Sequence, residues 1–297
     1  MMKNNKQPRR GILTRLALSG FLLALLYGCA TVQQPGETLG KIKSTGVLAV
    51  GYLESAPPFS FVGSNKTPVG YSVELCTRIA SSIQKQFGMQ NLKIEWIPLT
   101  VENRIAMVAD GKVDIECSTT TATLSRQERI DFSLMTFADG ATMLTRADSN
   151  VKFAADLNGK RIAVIPGTTT EKVVTAFAKK EFIDVRIVPV KDHAEGLAAV
   201  EKKAAEAFAS DRGILIGVAL TSKDPTIFAL GTIVLSYEPY GFMVRRNDPA
   251  FRLAVNRALA ALYRSGEIFE IYDKWFGAFG KPSVAIQAMY LLNGLPD

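Results

Sequence analysis

The hydroxyls of Thr119 and Thr121 and the guanidinium of Arg126 stand in one short run, Cys117-Ser118-Thr119-Thr120-Thr121-Ala122-Thr123-Leu124-Ser125-Arg126. Ahead of it, Val113-Asp114-Ile115-Glu116 alternates apolar and acidic, which predicts a half-buried strand. Behind it, Thr123, with Ser125 and Glu128 at capping-box spacing, predicts a helix start. A cation in the first turn of a helix sits at the positive end of the dipole, which is unfavourable unless an anion lies between them. Hydroxyls, first-turn N–H groups and a guanidinium fork converging on one point form a receptor for a carboxylate. A solvated arginine after an ordinary Ser/Thr cap is the plainer alternative.

The same device recurs in the second half. Arg161 to Ile165 reads as a strand, Pro166-Gly167-Thr168-Thr169-Thr170-Glu171 as its turn, and Glu171 to Lys180 as a helix, with Thr168 and Glu171 at capping-box spacing. Ala207-Phe208-Ala209 is a short strand whose end delivers Ser210-Asp211 to the rim of a sheet. In open parallel sheets, ligands bind beyond those carboxyl ends.

The elements that position these groups alternate. Val47 to Leu53 is an apolar run short enough for a buried parallel strand, and Val73, Leu75, Ile79, Ile83 and Phe87 recur at helical spacing until Gly88. Leu92 to Leu99 and Glu102 to Ala109 are the next strand and helix, so the pattern favours a mainly parallel sheet covered by helices. A second unit starts near Asp139-Gly140. It contains strands at Ala141 to Leu144 and Arg186 to Val190, and a helix from Asp192 through Lys203. Tyr240 to Arg245 is a strand, Asp248-Pro249 opens a helix ending at Ser265-Gly266, and Glu267 to Phe276 carries another.

The chain has 297 residues, 47% hydrophobic and 21% charged, which suits two moderate globular units and excludes a disordered or fibrous chain. Its net charge of +7 suggests nucleic acid until the charge is located. Lys3, Lys6, Arg9, Arg10 and Arg15 lie in one acid-free segment, and without them 30 basic residues face 28 acidic ones. The remainder is nearly neutral and carries no aromatic-laced basic patch, so no nucleic-acid partner is expected. The basic segment is followed by the apolar stretch Leu16 to Tyr27, too short to span a bilayer, so residues 1–28 read as a secretory signal and 29–40 as a tether. Leu26-Tyr27-Gly28-Cys29 resembles a bacterial lipoprotein signal with Cys29 acylated; an ordinary cleaved signal is the alternative. Cys76 and Cys117 meet an oxidising compartment and are either bridged or two buried free thiols. One histidine and two spaced cysteines fill no metal site, and no cofactor is expected.

Glu54 to Ser60, Val69-Gly70-Tyr71-Ser72, Asn103-Arg104-Ile105, Thr119 to Arg126, Asp131-Phe132-Ser133, Pro166-Gly167-Thr168-Thr169, Lys191-Asp192-His193, Tyr240-Gly241 and Asp273-Lys274-Trp275-Phe276 occur in consistent order from about Lys41 to Phe276. Together they resemble the extracytoplasmic solute-binding proteins of polar-amino-acid ABC transporters, most closely the glutamate/aspartate-binding branch. The resemblance implies an α/β, two-lobe periplasmic-binding-protein fold of type II, with two hinge crossings. It places the first lobe at 41–137 and 240–297 and the second at 138–239.

It further implies that Arg126 grips the α-carboxylate of a free amino acid, helped by Thr121, Thr168 and Thr169. Asp211 pairs with the α-ammonium and Thr119 touches that end, while Arg104 and His193 meet the side-chain carboxylate. Phe59 is a candidate wall. Leu53 stands where that branch has a second side-chain-binding arginine, and Val101 where it has a hydroxyl. The implied protein is a periplasmic or otherwise extracytoplasmic monomer that delivers its ligand to an ABC permease, touches the membrane only through a lipid on Cys29, and catalyses nothing. The alternatives are a dehydratase-like enzyme acting on a prephenate-like carboxylate, with Glu54 or His193 as general acid, and a ligand-sensing module.

Overall fold

The computed structural model describes residues 37–149, 151 and 154–297. Residues 1–28, expected to be a signal, and Cys29 lie outside the described residues. Helix α1 (Glu37–Thr45) leads into β1 (Val47–Leu53), and β2 (Ser55–Ala56), β3 (Ser60–Val62) and β4 (Pro68–Val69) make a small antiparallel sheet. Then come α2 (Tyr71–Gln86), β5 (Lys93–Leu99), α3 (Arg104–Ala109), β6 (Ile115–Glu116), the single turn α4 (Leu124–Gln127) and the long β7 (Ile130–Asp139). The second half contains β8 (Ala141–Arg146), β9 (Lys160–Val164), α5 (Thr169–Lys180), β10 (Val185–Pro189), α6 (His193–Glu201), β11 (Ala207–Asp211), α7 (Arg212–Ala219) and β12 (Phe228–Leu230). Strand β13 (Glu238–Arg245) returns, followed by α8 (Pro249–Ser265), α9 (Glu267–Phe276) and α10 (Val284–Asn293).

Two five-stranded sheets result, in the orders β5-β1-β6-β13-β7 and β10-β9-β11-β8-β12. In the first, β13 alone runs against the other four; in the second, β8 does. Each is therefore mainly parallel, as strand–helix alternation demands. The chain passes between the sheets at Asp139-Gly140 and returns through β13, and Asp139 is the cross-strand partner of Glu238 at that junction.

Local chemistry starts the helices where the sequence places them. Thr123, Thr168, Asp192 and Asp248 each accept a backbone N–H from three residues on. The Asp273-Lys274-Trp275-Phe276 motif is structural, since Lys274 and Trp275 both donate to Glu74 of α2, at 2.7 Å each. Gly70 is required by its φ of +128° and because a Cβ there would lie 2.2 Å from the Phe59 carbonyl oxygen.

Three expectations are corrected. The tether ends earlier, because Glu37 to Thr45 is helical, with Thr38 and Ile42 buried and the Thr38 N–H donating to Asp248. Helix α4 is one turn and not a full helix, too short to carry a substantial macrodipole, so the dipole argument for an anion beside Arg126 gives way to one from burial. The strand at Val113 to Glu116 is not half-buried. Asp114 is 3% and Glu116 0% exposed, because β6 lies mid-sheet between β1 and β13.

Cys76 of α2 is bonded to Cys117, the residue after β6, across a separation of 41 residues. Closing a loop of that length removes unfolded-chain entropy worth about 4 kcal/mol. Replacing both cysteines by serine should lower the melting temperature by several degrees, and dithiothreitol should lower the wild type to match. Equal melting of wild type and variant under oxidising conditions would contradict the bond's contribution.

Candidate functional site

The carboxyl ends of the strands bring groups from both halves around one small cavity. It is lined by Val101, Arg104, Thr119 and Thr121 from the first half and Thr168, Thr169, Thr170, His193, Ser210, Asp211 and Ile214 from the second. Helix α7 holds the halves close here: a Cβ on Gly217 would lie 2.1 Å from the Pro57 carbonyl oxygen.

Arg104 is 4% exposed, its Nε has no hydrogen-bond partner, and it forms no ion pair among the described residues. Burial pulls its pKa down, with Glu116, Asp211 and Tyr240 as the compensating neighbours. Arg126 is buried behind Thr121. It does not line the cavity, and its Nη1 donates to the Thr121 carbonyl oxygen at 2.8 Å. Burial and then the like charge of Arg104 bring it down to about 10, so it stays a cation at neutral pH; Glu116, Glu238 and Asp211 oppose the shift. No acid reaches ion-pair distance of it among the described residues. Two buried cations thus stand near one another without a protein counter-ion in contact, an arrangement that costs stability until an anion arrives.

On the facing side, Asp211 accepts from Thr170 Oγ1 at 3.4 Å and from the Tyr240 hydroxyl. Burial, then the charges of Asp139 and Glu238, push its pKa up to about 8. Asp139 is raised the same way, to about 6, although the N–H groups of Gly140 and Gly213 donate to it. His193 is lowered to about 4 by burial and then by Arg104, so it faces the cavity as a neutral imidazole able to donate one N–H.

The structure therefore brings Arg104, Thr119, Thr121, Thr168, Thr169, His193 and Asp211 to one cavity and stations Arg126 behind it. It does not bring Leu53 or Phe59. Leu53 packs among Leu99, Val108, Val113, Ile130 and Met243, because its side chain leaves β1 on the core face. Phe59 is fully buried against Tyr71, Phe137, Tyr240 and Phe276, with ring centroids 4.9 to 6.2 Å away. The role of Thr168 also changes. Its hydroxyl accepts from the Glu171 N–H and donates to the Ile165 carbonyl, which leaves it no proton for a ligand. What α5 offers at that point is its first-turn N–H groups, which have no partner inside the helix.

Sequence reasoning missed Glu116 and Glu238. Glu116 is held by the hydroxyls of Ser118 and Thr120, and its other oxygen has no partner; burial raises its pKa against the pull of Arg104. The alternation around it pointed to solvent, so no local signal marked it. Glu54 is exposed, which removes it as a general acid for this cavity.

The model for bacterial extracellular solute-binding proteins, family 3, matches residues 48–278. The chain is 35% identical over 262 residues to an L-glutamate/L-aspartate-binding protein of Pseudomonas aeruginosa, covering 88% of this chain and 87% of that one. It is 33% identical over 258 residues to the glutamate/aspartate import solute-binding protein of Escherichia coli, covering 86% and 85%. Among solved structures it superposes with a TM-score of 0.71, at 28% identity, on an ancestral amino acid-binding protein described as a precursor of cyclohexadienyl dehydratase, covering 80% of this chain and 99% of that one. Both curated relatives are named as binding proteins.

Proposed function

Because the chain belongs to the bacterial extracellular solute-binding proteins of family 3, we propose that it captures an acidic amino acid, glutamate or aspartate, outside the cytoplasmic membrane and delivers it to an ABC importer. The observation that carries this reading is the pair of buried guanidiniums, Arg104 and Arg126, neither in contact with a protein acid, beside the buried carboxyl of Asp211. The two guanidiniums offer partners for two carboxylates, and Asp211 offers one for an ammonium. The glutamate/aspartate names of the relatives support the same class.

Arg126 takes the α-carboxylate, with the N-terminus of α5 on its other side, and Asp211 takes the α-ammonium. Arg104 holds the side-chain carboxylate as the charged partner, and neutral His193 adds an N–H. Val101 and Ile214 close that end without charge. The halves 41–137 with 240–297 and 138–239 act as lobes that open about the Asp139-Gly140 and Glu238 crossings. The protein acts as a monomer, and a lipid on Cys29 keeps it near the permease.

Thermal shift across the twenty amino acids and prephenate tests the reading. A rise in melting temperature confined to L-glutamate and L-aspartate supports it; no rise with any amino acid, or conversion of prephenate, overturns it. Arg104→Ala should weaken L-glutamate by roughly tenfold to a hundredfold, the loss of one charge-assisted contact of about 1.5–3 kcal/mol. L-Glutamine should be weakened less, so the order of preference narrows; calorimetry with both ligands reads the ratio.

A further inference from the structure

Glu238 opens β13 at the return crossing, is 1% exposed, and does not itself line the cavity. Its Oε2 accepts from Thr121 Oγ1 at 2.6 Å and from Thr169 Oγ1 at 2.8 Å. Thr121 belongs to the first half and Thr169 to the second, and their oxygens are 3.4 Å apart. The other carboxylate oxygen, Oε1, accepts from Ser236.

A hydroxyl carries one proton and two lone pairs, and a carboxylate can only accept. Both threonine protons are therefore committed to one oxygen of Glu238, and the 3.4 Å approach of the two hydroxyls has no proton left to share. What Thr121 and Thr169 turn toward the cavity is lone pairs. Lone pairs repel a carboxylate and attract an N–H donor, the opposite of the role their residue type suggests beside Arg126. Thr170, next in the chain, reaches Asp211, so the acceptor pair and that acid serve the same end of the site.

We propose that Glu238 is a specificity-determining residue. By drawing off two hydroxyl protons it makes the Thr121–Thr169 pair an acceptor site for the ligand's ammonium, so the cavity rejects dicarboxylic acids of matching length that lack an amino group. This rests on the acidic-amino-acid reading above and deepens it. Glu238 touches no ligand; it acts through the two threonines as a positioning residue.

The test is calorimetric binding of L-glutamate and of glutarate, its analogue without the amino group, to wild type and Glu238→Gln. The amide is nearly isosteric but brings N–H donors, which turn the threonine hydroxyl protons back toward the cavity. Wild type should prefer L-glutamate by more than a hundredfold. In Glu238→Gln that ratio should shrink at least tenfold, through weaker glutamate together with unchanged or stronger glutarate. An unchanged ratio, or equal loss of both ligands, overturns the inference.

Where circular dichroism shows Glu238→Gln to be misfolded, Thr169→Val decides. It removes one acceptor, and should weaken L-glutamate about tenfold while sparing glutarate; parallel loss overturns the inference. A folded wild type that binds neither L-glutamate nor L-aspartate defeats the acidic-amino-acid reading itself, and the inference with it. Wild type that binds glutamate but shows no response of the ratio in either variant defeats the inference alone.

Discussion

Arg126→Ala weakens L-glutamate and L-aspartate by at least a hundredfold, equally for both, while the empty protein melts no lower than wild type. The two halves of this result come from the same cause. A buried guanidinium held by one carbonyl, in the field of another guanidinium, costs the empty fold desolvation and repulsion that no protein carboxylate in contact repays. Removing it relieves that cost. The ligand's α-carboxylate, in contrast, loses a charge-assisted and potentially bidentate contact and is left buried without its cation, worth about 3 kcal/mol or more. A structural arginine would show the reverse pattern, a lower melting temperature with binding affected only through unfolding. Calorimetry and thermal melts of the one variant separate the two, and retained affinity would remove the anchor of the proposed function.

Asp211→Asn should be as damaging to amino-acid binding and should alter its dependence on pH. In the empty cavity the Asp211 carboxyl is pushed up to about 8, so at neutral pH it is largely protonated. An ammonium requires the ionised form, so binding releases a proton and affinity rises as pH increases from about 6 toward 8, by at most tenfold per unit. Calorimetry in buffers of different ionisation enthalpy counts that proton; in Asp211→Asn the count and the slope both vanish.

The stability of the empty protein moves the other way. A carboxyl whose folded value lies above its unfolded one contributes stability that is complete below the unfolded value, near 4, and is lost as pH rises through the folded value, near 8. Asp139, raised to about 6, adds a loss in the same direction. Relative to wild type, Asp211→Asn should therefore melt progressively higher as pH rises from 5 to 8.5. A constant difference across that range would contradict the raised value.

Much of the fold was readable because its signals are local. The bounds of β1 and α9 follow from an apolar run and from a Gly stop followed by an amphipathic repeat. The caps at Thr123, Thr168, Asp192 and Asp248 are contacts between residues three apart. The site was legible in part. Arg126 and Asp211 stood out by residue type at element ends, whereas Arg104 and His193 needed the family resemblance, since an arginine opening a helix is ordinary. Leu53 and Phe59 were misplaced because position along a strand or turn does not reveal which neighbours its side chain meets. Leu53 meets a core contributed by β5, α3, β7 and β13, with Val113 from the turn before β6.

The sequence by itself thus determined the elements, the alternation that makes two mainly parallel sheets, and two of the charged groups of the proposed receptor. Only the tertiary structure decided which protons those groups have to give. Thr121, Thr169 and Glu238 are far apart in the chain, and the direction of a hydroxyl proton depends on the acceptor that folding sets beside it. The same holds for the charge states of Asp211 and His193, because burial and neighbouring charges belong to the assembled cavity and not to the residues themselves.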